Sequence, residues 1–127
     1  MHKILLDTDI VIWLLRKQTS YINTFIDAQR QGSIFLLSPI VSAEIYAGAF
    51  KHEYPTIEQL FGFFTPLTLD IATAQLAGEY ANQYRKSHHK ISLEDFLIAA
   101  STKKANAYLW TNNKKHYPML EDFFEVE

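Results

Sequence analysis

At 127 residues, with 48% hydrophobic and 14% aromatic side chains, the chain has the size and apolar content of one globular domain built around one core. It contains no cysteine, which excludes disulfides and thiolate metal sites, leaves oxygen and imidazole as the available metal ligands, and makes the cytoplasm the natural compartment. A formal charge of −2 argues against a nucleic-acid binder that works by basic excess alone, because such proteins capture the phosphate backbone by counterion release; a bound cation changes that balance.

Lys3 to Leu6 is a short apolar run closed by Asp7 and predicts a buried strand. The helical pattern from Thr8 to Leu15 turns Ile10, Val11 and Leu14 inward. Asp7 and Asp9 interrupt the apolar stretch here, and its longest unbroken run, Ile10 to Leu15, is too short to span a bilayer, so neither a signal peptide nor a membrane anchor is expected. A helix over Tyr21 to Arg30 leads to a second strand, Ile34 to Leu37. Ser38 and Pro39 supply an N-cap and a first-turn proline for a helix running to Phe50. A helix from Thr56 to Phe64, a strand over Thr65 to Leu69 and a helix from Ile71 to Lys86 follow. Ser92 caps a last helix, Leu93 to Lys104, with Ile91 placed to staple against Phe96, and Ala107 to Trp110 completes the strands. Alternation of this kind predicts a single α/β domain over residues 1–127 with a parallel sheet, free of repeats and linkers.

In open parallel sheets ligands bind beyond the carboxyl ends of the strands, so polar residues just after a strand are the first candidates. Asp7 stands at such a corner, where it serves either as an N-cap or as a functional acid. Asp9, in the first helical turn, either complements the helix dipole or meets a metal. Glu44 shares a helical face with Ile40, Val41, Ala47 and Gly48, a face expected to turn inward; a carboxylate buried there requires a partner, either an ion pair or a metal. Asp95 lies alongside Ile91, Ile98 and Ala99, while Glu94 points about 100° away. Ser92 to Asp95 also has the spacing of a capping box, which gives Asp95 a purely structural alternative. Three carboxylates from three elements, converging on one sheet edge, repel unless a cation joins them. Magnesium suits such a set, since it prefers oxygen ligands and keeps positions open for phosphate.

Four stretches together resemble the PIN-domain ribonucleases, and among them the compact VapC-like toxins, from Lys3 to about Pro118. Ile4-Leu5-Leu6-Asp7-Thr8-Asp9 resembles the family's opening strand and acid, with Asp9 where an Asn is usual. Ser38-Pro39-Ile40-Val41-Ser42-Ala43-Glu44 with Gly48 is similar to the second motif. Ile91-Ser92-Leu93-Glu94-Asp95-Phe96-Leu97-Ile98-Ala99-Ala100 is similar to the third, and this alignment selects Asp95 over Glu94. Leu109-Trp110-Thr111-Asn112-Asn113-Lys114-Lys115-His116-Tyr117-Pro118 resembles the fourth, the segment after the last strand, where Asn113 replaces an acid, removes one negative charge and weakens the hold on any second metal.

The resemblance implies a three-layer sandwich with a central parallel sheet of four to five strands flanked by helices. It also implies a magnesium-dependent endoribonuclease in which Asp7, Glu44 and Asp95 hold Mg2+, or Mn2+ in its place, and Asn113 offers a carbonyl oxygen. Products with 5′-phosphate and 3′-hydroxyl ends, inhibition of translation, a homodimer and a cognate antitoxin covering the acidic cleft are implied in the same way. A housekeeping RNA-processing nuclease of the same family would keep the same acids.

Asp7-Thr8-Asp9 is also similar to the first motif of haloacid-dehalogenase-type phosphatases, but the later lysine and paired acids of that family have no clean counterpart. A receiver domain would need Asp70 as phosphoacceptor and a lysine ending the last strand, and none ends it at Trp110. Two basic clusters stay open between solvated surface and phosphate contact: Arg85, Lys86, His88, His89 and Lys90, and Lys103, Lys104, Lys114, Lys115 and His116. Of the second, Lys114, Lys115 and His116 lie nearest the site and are the candidates to meet RNA phosphates. Thr8 and Thr111 are candidates to orient ligands or water.

Overall fold

A computed structural model describes residues 2–126. Four strands, β1 (Lys3–Leu6), β2 (Ile34–Leu37), β3 (Thr65–Pro66) and β4 (Tyr108–Trp110), form one sheet in the order β3-β2-β1-β4. All pairings are parallel, with Ile4 opposite Phe35 on one side of β1 and Leu5 opposite Leu109 on the other. Such sheets are covered on both faces, which is why β1 reads as an uninterrupted apolar run. Ile4, Leu5 and Leu6 are fully buried. A single bridge from Leu109 to Phe123 lays the C-terminal segment along the outer side of β4, one residue of a fifth strand.

Six helices flank the sheet: α1 (Thr8–Leu15), α2 (Thr19–Arg30), α3 (Pro39–Ala47), α4 (Tyr54–Phe61), α5 (Ile71–Tyr84) and α6 (Leu93–Lys104). The main core gathers β1, β2 and β4 with Ile10, Val11, Leu14, Val41, Ile45, Ile98 and Tyr117. A second, smaller core of Ala77, Ala81, Ile91, Phe96 and Ala100 joins α5 to α6, and contains the Ile91–Phe96 pair expected as a staple.

Several ends differ from the sequence expectation. α3 stops at Ala47, with Gly48 as its cap, and the chain enters a 3-10 turn at Lys51–Glu53 whose Glu53 carboxylate accepts the Phe50 amide. β3 holds only two residues, because Pro66 has no N–H to continue the ladder; one further bond, from the Leu67 amide to the Leu37 carbonyl, ends the pairing. α5 ends at Tyr84, whose carbonyl accepts the amides of Ser87 and His88 and the Ser87 hydroxyl. α2 starts earlier, at Thr19, and α4 earlier, at Tyr54, and ends at Phe61. After α6 the chain turns at Asn106, φ 51°, a left-handed position that Asn tolerates better than most residues, before β4 begins at Tyr108. Among the described residues no helix is long and apolar enough to cross a membrane.

Candidate active site

The carboxyl ends of β1 and β4 are locked together by the Asp7 amide, which donates to the Trp110 carbonyl at 2.9 Å. Asp7 caps α1, as its position at the corner predicts, and its carboxylate is buried at 8% exposure. Oδ1 accepts the Thr8 amide at 2.9 Å, and Oδ2 accepts two hydroxyls, Thr111 Oγ1 and Tyr117 Oη, each at 2.8 Å. Thr111 in turn accepts the Asn113 amide at 3.0 Å, so Asn113 reaches the acid through a hydroxyl. Asn113 is half-buried at the head of the 3-10 turn Lys114–His116.

Asp95 sits in the first turn of α6 and fulfils the capping box: its amide donates to Ser92 Oγ at 3.2 Å and its Oδ2 accepts the Ser92 amide at 3.3 Å. That structural role coexists with a place in the site, since Oδ1 lies 3.4 Å from the Tyr117 hydroxyl and Oδ2 lies 3.2 Å from His116 Nδ1. Tyr117 thus stands between Asp7 and Asp95. Burial, then the fields of Asp7 and Asp95, push its hydroxyl far above the ordinary tyrosine range, so it stays a proton donor.

Glu44 is exposed at the rim of the cleft, contrary to the inward-facing position expected from its stripe. Val41 is buried, but Ala47 and Gly48 on the same face are open, and Glu44 and Gly48 border a groove rather than the core. Glu44 Oε1 accepts the Thr8 hydroxyl at 2.9 Å. Partial desolvation, followed by the fields of Asp7, Asp95 and Glu94, raises its pKa above the ordinary glutamate value against the opposing Thr8 bond. Thr8 ties Glu44 to the Asp7 corner, its amide donating to Asp7 and its hydroxyl to Glu44. Glu94 itself is exposed.

Asp9 neither lies free on the first turn nor turns toward Glu44. Its Oδ1 accepts the Ile10 amide at 2.8 Å and its Oδ2 the Asn112 amide at 3.1 Å, strapping the loop after β4 to α1. Asn112 continues the strap to Tyr21 Oη at 2.7 Å. Desolvation, then the neighbouring Asp7, raises the Asp9 pKa to about 6. Asp70, the residue a receiver domain would phosphorylate, caps α5 through the amide and hydroxyl of Thr73.

The donor set of Asp7, Glu44 and Asp95 is all oxygen, the chemistry that magnesium and manganese take, and among the described residues its only ion-pair contact is His116 with Asp95. The side chains do not, however, form a ready cage. Among the described residues no three Asp, Glu or His side chains stand close enough to enclose a metal ion as oriented. The reason is local: the oxygens are turned onto Thr8, Thr111, Tyr117, Ser92 and His116, which supply the hydrogen bonds that carboxylates demand. Tyr117 is the site residue that the motifs do not reveal. It stands within the fourth motif's segment, but its partners are 22 and 110 positions away.

Beside Glu44 a groove of about 440 Å³ runs between α1, α3 and α4, walled by Ile12, Leu15, Ile45 and Ile57 with Arg16 and Lys17 at its edge.

The PIN domain family model matches residues 4–119. The chain is 33% identical over 120 residues to Ribonuclease VapC19 of Mycobacterium tuberculosis, covering 93% of this chain and 94% of that protein. It is 31% identical over 118 residues to Ribonuclease VapC10 of the same organism, covering 93% and 88%. The fold superposes on VapBC2 of Rickettsia felis, solved bound to a DNA fragment from its promoter, with a TM-score of 0.81 at 21% identity, covering 94% of each chain. It superposes on VapBC-1 of nontypeable Haemophilus influenzae with a TM-score of 0.72 at 26% identity, covering 90% and 89%. With the four motifs in order, the acids gathered beyond the ends of a parallel sheet, and a family match across nearly the whole chain, this protein belongs to the PIN-domain family.

Proposed function

We propose that the protein is a divalent-metal-dependent endoribonuclease and the toxin of a toxin–antitoxin pair, acting to inhibit translation. The observation that carries the reading is the Tyr117 hydroxyl, which donates to Asp7 at 2.8 Å and stands 3.4 Å from Asp95, with Thr8 bridging Asp7 and Glu44. Asp7 and Asp95 each cap a helix but Glu44 caps none, so helix capping does not account for all three acids. A bound Mg2+, or Mn2+ in its place, held by Asp7, Glu44 and Asp95, would neutralise phosphate charge and lower the pKa of a bound water.

The remaining work belongs to the chain. Thr8 holds the Glu44 carboxylate and Thr111 holds that of Asp7, so that both acids present a fixed oxygen. Tyr117 keeps Asp7 and Asp95 apart while remaining protonated. The Asn113 side chain offers a neutral carbonyl oxygen where an acid would add charge. Pre-positioning of this kind removes orientational entropy from the attack on the phosphodiester.

The toxin role is supported by relatives named as VapC ribonucleases, and the solved VapBC neighbours motivate a cognate antitoxin; the homodimer rests on the family resemblance alone. The test is to incubate the purified protein, free of any partner, with total cellular RNA and a labelled oligoribonucleotide in magnesium and in EDTA. Cleavage in magnesium that EDTA abolishes is expected, with 5′-phosphate and 3′-hydroxyl ends. RNA left intact by a magnesium-loaded protein contradicts the reading.

A further inference from the structure

In the second basic cluster, two of the three residues that follow Asn113 most closely are already engaged by acids. Lys114 pairs with Glu125 and lies 5.4 Å over the Phe123 ring, and His116 faces Asp95. The first cluster is different. Arg85, Lys86 and His89, in the turn between α5 and α6, line a groove of about 700 Å³ together with Gly78 and Asn82 of α5 and Leu93 at the start of α6. Among the described residues no carboxylate lines this groove, and neither Arg85 nor Lys86 has an acidic partner. His88 stands apart, its Nδ1 2.8 Å from Ser87 Oγ and its ring edge-on to Tyr84.

In a chain of net charge −2, two cations and an imidazole facing one groove without an acid are a segregated charge that attracts a polyanion. The floor adds a second feature. A Cβ built on Gly78 meets no atom within 4 Å, so packing inside the chain does not call for glycine, although glycine in a helix costs about 1 kcal/mol relative to alanine. It leaves bare helix backbone over which an extended strand can lie. The groove and the carboxylate site flank the start of α6: Leu93 lines the groove, and Asp95, two residues on, lies on the opposite side of the helix's first turn.

Resting on the nuclease reading above, we propose that Arg85, Lys86 and His89 hold the sugar–phosphate backbone of the single-stranded RNA as it passes over the start of α6 from the carboxylate cleft. They are positioning residues. An acidic cleft repels an approaching strand, and a cationic track beside it supplies the capture that the overall charge does not.

The experiment measures binding of a labelled mixed-sequence oligoribonucleotide to Asp7→Asn protein, with and without Arg85→Gln and Lys86→Gln, across a salt series. Arg30→Gln with Lys51→Gln removes the same charge elsewhere. The groove pair is expected to weaken binding and to flatten the slope of log K against log salt by about 1.4, two single-strand phosphate contacts at about 0.7 each, while the control pair leaves the slope in place. In protein with native carboxylates and magnesium, the groove pair raises KM for oligonucleotide cleavage and leaves kcat unchanged. An unchanged slope and KM in a protein that still cuts RNA overturns the groove assignment and leaves the nuclease reading standing. Equal flattening by both pairs overturns it too, as does a groove pair that alters only the elution volume on size exclusion, which would assign this face to a second copy. A parent protein that neither cuts nor binds RNA removes the nuclease reading and the groove with it.

Discussion

At the scale of single residues, the site is a balance between three acids and the hydroxyls that occupy them. Tyr117→Phe removes the donor between Asp7 and Asp95 while preserving the ring in the core. It is expected to destabilise the metal-free protein by about 1–3 kcal/mol, the cost of leaving a buried acceptor short of a partner, read from urea unfolding in EDTA. An unchanged midpoint would show that the hydroxyl holds nothing. The titration of Asp9 gives a second test. Its pKa is raised in the fold, so the stability it contributes is fully present below the ordinary carboxylate pKa of about 4 and is lost as pH rises through about 6. Metal-free protein should therefore weaken across that window, with Glu44 acting in the same direction, and Asp9→Asn should flatten the decline. A melting temperature that rises through the window in the parent, or an identical profile in the variant, would contradict this. Asp7 and Asp95 were legible in the sequence because one ends an apolar strand and the other interrupts an inward stripe in the first turn of a helix. Glu44 was legible as a candidate but not in its surroundings, since periodicity tells an apolar side from a polar one without telling core from cleft wall. Tyr117 was not legible, because its function lies in two contacts that only the fold creates.

At the scale of elements, local chemistry fixed starts better than ends. Ser38 with Pro39, and Ser92 with Ile91 and Phe96, mark helix beginnings that the structure places at the same residues. The ends of α3 and α5 and the length of β3 depend on a glycine cap, a serine return to Tyr84 and a proline without an N–H, each competing with an apolar pattern that runs on. The capping box of α6 joins stability to the site, because the Asp95 carboxylate that accepts the Ser92 amide also faces Tyr117 and His116. Ser92→Ala should cost about 1 kcal/mol in thermal or urea unfolding. It should also slow magnesium-supported RNA cleavage, because Asp95 loses the partner that orients it. Full stability in the variant would mean the cap is redundant; lost stability with unaltered cleavage would separate the cap from the site.

For the molecule as a whole, alternating strands and helices implied a parallel sheet, and the structure has one. The order β3-β2-β1-β4 was beyond the pattern, because it is set by which helices cover which face and not by any strand's own sequence. That order matters for function. β1 lies between β2 and β4, so Asp7 is flanked by the chain leaving β2 toward Glu44 and by the loop after β4 that carries Thr111 and Tyr117. Asp7, Glu44 and Asp95 are proposed to act as one unit. The most direct test is magnesium-supported RNA cleavage by Asp7→Asn, Glu44→Gln and Asp95→Asn, singly and combined, with each variant's folding checked by circular dichroism. Every single variant is expected to lose on the order of 10²-fold or more and the combination little beyond that, as for residues serving one charge-stabilising step. Folded single variants that keep the parent rate would contradict it.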